Sequence, residues 1–290
     1  MALFVCSMGR LTAHPADVMS TSESTGNRQI GAAAAFVDAQ LAAGHVAFPL
    51  AQLLKDTGLA VEAAKKQLRR LGPRVVRVSP SQQFFLIVSP EHYSRGSPPV
   101  DWWLDDYFRW LEHPYYLALQ SAASAHGSNP QSIQVTQVMT DTSRRPIRIG
   151  QLRVVFFVKR GVGSTPTQQL ANAFAPTRVS TPAATAFDLI RYATRIGGIG
   201  RAVETLRPLL SLIRGSELRA VLEAEDETAT AQRLGYVLEE TGQTKLAQVV
   251  AEWLPARRPS IPLVPAPAGR PVGPVVQPWR ILDNSGEFES

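Results

Sequence analysis

The chain has 290 residues, which at roughly 100–200 residues per domain suggests two domains. An apolar fraction of 44% excludes wholesale disorder, and a single cysteine, Cys6, excludes a disulfide framework or a multi-cysteine zinc site and fits a reducing compartment. Basic residues exceed acidic ones, 30 to 24, and the pI is about 9.8, which favours an anionic partner, nucleic acid first.

Residues 1–28 hold no sustained hydrophobic period and end in STSESTGNR, so they read as a disordered arm. The brief apolar start lacks the charged leader and cleavage site of a signal peptide, and Met19 is a candidate start. No run approaches the roughly 18 apolar residues of a membrane span, so no membrane association is expected.

From Ile30, IGAAAAFVDAQLAAG predicts a helix closed by Gly44. HVAFPLAQLLKDTG predicts a second, with Leu50, Leu53 and Leu54 at helical spacing and Gly58 at its end. LAVEAAKKQLRRLG predicts a third, apolar on Leu59, Ala63, Ala64, Leu68 and Leu71, basic on the other side, and stopped by Gly72-Pro73. RVVRV (74–78) and QFFLIV (83–88) predict two strands joined by Ser79–Gln82. Three helices, a strand, a turn and a strand are the order of a winged helix-turn-helix, here residues 29–93. SPEHYSRGSPPV (89–100), with three prolines and a glycine, predicts a hinge.

A second domain is expected over residues 100–254. DWWLDDYFRWLEH predicts a helix whose stripe of Trp103, Tyr107, Trp110 and Leu111 faces a core, and YYLALQSAASAHG a further helix. IQVTQVMT (133–140) predicts a strand, and RRPIRI and LRVVFFVK a hairpin about Gly150-Gln151. RVSTP (178–182) ends a strand, with Thr181 placed to cap a helix whose first residue is Pro182. That helix stops at Gly197-Gly198, and three or four more follow, to Leu254. Strands followed by helices give an α+β protein: a winged helix and then a mixed α/β domain with a small sheet. Residues 255–278 hold eight prolines and favour extended chain; the end of this 255–290 tail, with Trp279, Ile281 and Leu282, is expected to dock back as a strand.

From Lys55 to Arg77 there are seven basic and two acidic residues. In a helix-turn-helix the second helix of the motif enters the major groove. Lys65, Lys66 and Gln67 are therefore expected to meet base edges, and Arg69, Arg70 and Arg74 phosphate, while Arg77 and Gln82 belong to the wing beside the neighbouring backbone. An ordinary solvated basic face is the alternative. A second basic set, Arg144, Arg145, Arg148, Arg153, Lys159 and Arg160, surrounds the hairpin and suits nucleic acid, an acidic protein, or a charged edge that blocks aggregation.

Enzyme signatures are thin. The five histidines show no metal-ligand spacing, and no nucleophile elbow, phosphate loop or nucleotide fingerprint occurs. Glu223, Glu225 and Asp226 sit at a helix boundary where their directions diverge, unsuited to magnesium. Asp188, on an apolar helix, is expected to bond locally to backbone or Arg191. No enzyme activity, cofactor or metal is expected.

Three stretches resemble the AbiEi antitoxins of type IV toxin–antitoxin systems: HVAFPLAQLLKDTGLAVEAAKKQLRRL with RVVRVSPSQQFFLIVSPEHYSRGSPP; HPYYLALQSAASAHG with IQVTQVMT; and RPIRIGQLRVVFFVKR, TPT and RVSTPAATAFDLIRYATRIGGIG. They cover about residues 40–200. One departure is Ala183, where an acidic residue is expected. The resemblance implies a cytoplasmic repressor of its own operon in an abortive-infection system. Its winged helix would bind double-stranded operator DNA. Its C-terminal domain would oppose a nucleotidyltransferase-like toxin without a stable complex. A protein-binding regulatory module without DNA binding is the competing expectation, motivated by the proline-rich tail.

Overall fold

The computed structural model describes residues 31–128, 135–170, 175–265, 274–286 and 288; the expected arm and Cys6 lie outside the described residues. The N-terminal unit comprises α1 (Ala32–Ala42), β1 (Ala47–Pro49), α2 (Leu50–Thr57), α3 (Val61–Arg70), β2 (Val75–Arg77) and β3 (Phe84–Ile87). The three strands form an antiparallel sheet in the order β1-β3-β2. The three helices and the two later strands arise where the sequence predicts them. β1 is additional: Ala47, Phe48 and Pro49 were part of the second expected helix, but they pair with Leu86, Phe85 and Phe84, and α2 starts after the proline. Proline's missing N–H is tolerated there because β1 is an edge strand.

All four residues of β3 are buried because both of its faces are covered. Phe85 and Ile87 join Phe36, Phe48, Leu53, Ala64 and Leu68 in a core under the helices. Phe84 and Leu86 point the other way, into a core shared with the C-terminal part of the chain.

That part begins with α4 (Leu104–Leu111), then β4 (Tyr115–Leu117), α5 (Leu119–Ala125), β5 (Thr136–Thr140), β6 (Ile147–Ile149), β7 (Leu152–Val158), β8 (Thr167–Leu170) and β9 (Thr177–Ser180). The strands make one mixed sheet, β6-β7-β5-β4-β9-β8. Tyr115–Leu117 was expected to be helical; it is an inner strand, and α5 begins two residues after it at a left-handed Leu119 (φ 55°). An inner strand covered on both faces is an unbroken apolar run, which periodicity cannot separate from buried helix. Trp103, Leu104, Tyr107 and Phe108 cover one face of the sheet, packing with Tyr115, Leu117, Val138, Val154, Phe156 and Val179. Trp103 and Tyr107 of the expected stripe are buried, whereas Trp110 is at the surface.

The other sheet face presents Tyr116, Met139 and Phe157 to a layer of helices. These are α6 (Pro182–Arg191), α7 (Ile199–Leu206), α8 (Gly215–Glu225), α9 (Thr228–Glu240) and α10 (Thr244–Trp253). Thr181 caps α6 as expected, its side chain accepting from the Ala184 N–H, with Pro182 at the first helical position. Ala183 is completely buried, so an acidic side chain there would be buried too.

The tail forms a small sheet of β10 (Ile261–Pro262), β11 (Val275–Val276) and β12 (Ile281–Leu282), with β12 in the middle. Its anchor is Trp279, buried against Gly235 of α9; a Cβ on that glycine would lie 2.0 Å from the indole ring. Gln232 Nε2 donates to the Trp279 carbonyl at 2.8 Å, and Tyr236 O–H to Asp283 at 2.6 Å.

The expected hinge is a packed strap. Ser97 and Pro98 are buried, the Gln151 N–H donates to the Arg95 carbonyl at 2.9 Å, and Gly96 lies against Gly150 of the β6–β7 turn.

Candidate nucleic-acid interface

The candidate interface is the outer side of α3. Apolar residues at Ala64 and Leu68 bind the helix to the core, and Leu71 packs beside them. A 3.6-residue period then turns positions 62, 65, 66, 69 and 70 outward. Gly72, in the left-handed region at φ 57°, ends the helix, and Arg69 and Arg70 occupy its last turn, where the helix dipole favours cations. Lys66, Arg69 and Arg70 are exposed and form no ion pair among the described residues. Lys65 is half-buried and donates to Glu62 Oε1 at 2.9 Å.

The other expected contact residues have partners inside the chain. Gln67 Oε1 accepts the Ala33 N–H at 2.9 Å, satisfying one free donor at the start of α1. Arg74 pairs with Asp38 of α1. Arg77 lies over the Phe85 ring at 5.3 Å and donates to the Pro80 carbonyl at 3.0 Å, which fixes it at the base of the β2–β3 turn. Gln82, in that turn, accepts the Tyr107 O–H at 2.8 Å, tying the turn to α4. Lys65, Arg69 and Arg77 line one shallow groove between α3 and β2.

The second basic set is divided by the structure. Arg148 and Arg153 are direct cross-strand partners on β6 and β7, and both are exposed, as is Arg145. Arg144 folds inward over the Phe108 ring at 5.8 Å. Lys159 is not part of any surface: its side chain is fully buried, bonded to Asp188 Oδ1 at 3.3 Å and Glu225 Oε1 at 2.6 Å. Asp188 therefore bonds to Lys159 and to the Tyr116 O–H (2.8 Å) rather than locally to Arg191. Arg191 instead bridges Glu225 at 3.1 Å and Glu227 at 3.0 Å, and Thr165 donates to Glu225 at 2.8 Å. Burial pushes the Asp188 carboxyl above the usual carboxylate range, with Lys159 pulling it back. Nothing in local sequence signals this cluster, whose members come from β4, α6, the chain around β7 and the ends of α8 and α9.

Glu223, Glu225 and Asp226 diverge as expected: Glu225 turns into the cluster while Glu223 pairs with Arg219 on the surface. Among the described residues no three or more His, Cys, Asp or Glu side chains come together in a way that would hold a metal ion. Among the same residues no helix is long and apolar enough to cross a membrane.

No curated protein matches the chain. The RV2827C protein from Mycobacterium tuberculosis is similar in structure at 17% identity, over 87% of this chain and 91% of that one, with a TM-score of 0.61; at that identity the likeness is one of fold. An antigenic nucleotidyltransferase-like protein from Paracoccidioides brasiliensis aligns at 8% identity over 52% of this chain and 90% of that one, with a TM-score of 0.33, too low to bear on function. The family model of the AbiEi antitoxin C-terminal domain matches residues 116–240, from the inner strand β4 to the end of α9, and so includes the whole buried charge cluster. Over those residues the chain is similar to the AbiEi antitoxin C-terminal domain.

Proposed function

We propose that this protein is the antitoxin of a type IV toxin–antitoxin pair, that residues 29–93 are a winged helix binding double-stranded operator DNA, and that it represses its own operon. The family match supports the toxin–antitoxin role. The DNA-binding half rests on one observation: Lys66, Arg69 and Arg70 project from the outer side of α3 without an ion pair among the described residues. Unpaired cations on one helix face are the donors that displace counterions from a duplex. Arg77, held over Phe85 in the wing, adds a cation beside that face, and Arg145, Arg148 and Arg153 supply a second basic surface.

The C-terminal domain opposes a nucleotidyltransferase-like toxin encoded beside it, acting in the cytoplasm as a regulator rather than a catalyst. Gln67, Gln82 and Arg74 serve this scheme as braces that hold α3 and the wing in register with α1 and α4.

Electrophoretic retardation of the duplex upstream of the gene tests the DNA-binding half. Arg69→Glu with Arg70→Glu is expected to abolish the shifted band. Arg69→Ala with Arg70→Ala should reduce the slope of log affinity against log salt by about two units, one for each lost phosphate contact. Wild-type affinity across the titration in either variant would overturn the assignment. Co-expression with the neighbouring gene tests the antitoxin half: relief of growth arrest without co-purification is expected.

A further inference from the structure

A helix that grips phosphate gains nothing from a carboxylate on its gripping face, yet Glu62 stands in the first turn of α3 with its side chain 86% exposed. Helical spacing places it in one patch with Lys65, Lys66 and Arg69. Its Oε1 takes the bond from Lys65 Nζ at 2.9 Å, and its Oε2 has no hydrogen-bond partner among the described residues. Lys65 is thereby committed to the carboxylate and fixes its direction. The polar side chains elsewhere that suit base reading, Gln67 and Gln82, have their carbonyl oxygens engaged by Ala33 and Tyr107.

On a duplex, a carboxylate is repelled by every phosphate and by the acceptor edges of guanine and thymine. Adenine offers an amino group, but its N7 acceptor lies beside it. Cytosine presents the N4 amino donor alone, so it is the base edge that suits a carboxylate. We infer that Glu62 reads cytosine in the major groove, accepting from N4, and that Lys65 is the positioning residue that aims it. This rests on the DNA-binding reading above and assigns its base specificity. A Glu that merely stabilised the start of the helix would change stability and leave base preference untouched.

Selection from a library of duplexes with a randomised segment, at about 150 mM salt, distinguishes the two roles. The wild type should favour cytosine at one position of each site, and any other base there should weaken binding about 5- to 150-fold. Glu62→Ala should level that one position, leave the remaining positions unchanged, and bind non-selected duplex at least as tightly as the wild type. Glu62→Gln should move the preference at that position to adenine, since an amide pairs with N6 and N7. Lys65→Met should weaken the cytosine preference while lowering the salt slope by less than the unit expected of a lost phosphate contact. Thermal unfolding of each variant confirms that it is folded. If folded Glu62→Ala and the wild type enrich the same sequence with the same profile, the Glu62 assignment falls and DNA binding stands. If the wild type enriches no sequence and retards no duplex, DNA binding falls and the assignment with it.

Discussion

Lys159 illustrates how far a single residue can depart from the company it keeps in sequence. It follows Arg144, Arg145, Arg148 and Arg153, yet its ammonium is fully buried between Asp188 and Glu225. A run of cations reports charge but not direction, and here direction is set by carboxylates 29 and 66 residues away. Removing one partner of such a group leaves the others buried and uncompensated. Lys159→Met should therefore cost about 3–5 kcal/mol of stability, read as a lowered midpoint in urea. A loss of under about 1 kcal/mol, the range of exposed pairs, would show that the cluster is hydrated. Asp188 gives the cluster a pH signature. Its folded-state value lies above the ordinary 3.8 because burial penalises the charge. A group raised in this way contributes stability that is complete below the unfolded value and is lost as pH rises through the folded one. Measured against Asp188→Asn, the wild type should lose relative stability as pH rises above about 4, the unfolded carboxyl's range; a constant difference would contradict the shift. The ties of Gln67, Arg74 and Gln82 were equally illegible, because their partners lie 34, 36 and 25 residues away.

Elements with their own punctuation were legible. Gly72 stops α3, Thr181 and Pro182 start α6, and Gly150, at φ 54°, turns the β6–β7 hairpin. The strands that were missed lacked such marks. β1 is three residues ending in proline, β4 is wholly apolar, and β8, Thr167–Leu170, is polar along an exposed edge with no alternation to read. The tail was legible through Trp279, Ile281 and Leu282; its receptor, Gly235 in the middle of α9, carries no mark in the sequence of that role. Gly235→Ala turns that fit into overlap with the indole, so it should lower stability by about 1–3 kcal/mol and shift Trp279 fluorescence towards that of a solvated indole. Unchanged emission and stability would mean that the tail is not seated there. Thr181→Ala removes a cap and should cost about 1 kcal/mol, measured by thermal unfolding.

At the scale of the whole molecule, the two expected domains are joined by more than a linker. Phe84 of the N-terminal sheet meets Tyr107 at 5.4 Å and Trp110 at 5.2 Å between ring centroids, and Val46, Ala47 and Leu86 enter the same aromatic core. Composition showed two units of ordinary size, but not that β3 is apolar on both faces because a second unit covers it. Unfolding should accordingly be one transition seen by all probes. Phe84→Ala, by opening a cavity in the shared core, should cost about 3–5 kcal/mol and lower the midpoints of both units together. Two separated transitions would show that the shared core contributes little.

The contact of the strap with the hairpin extends this coupling. A Cβ at Gly150 would sit 2.1 Å from the Arg95 carbonyl oxygen, so backbone touches backbone where the chain crosses from the first unit to the second. A joint clasped in this way ties the unit bearing α3 to the hairpin bearing Arg148 and Arg153. Under the DNA-binding role proposed above, a duplex long enough to reach both would have to follow the outline of that joined surface, and its readiness to curve would become part of what the protein recognises.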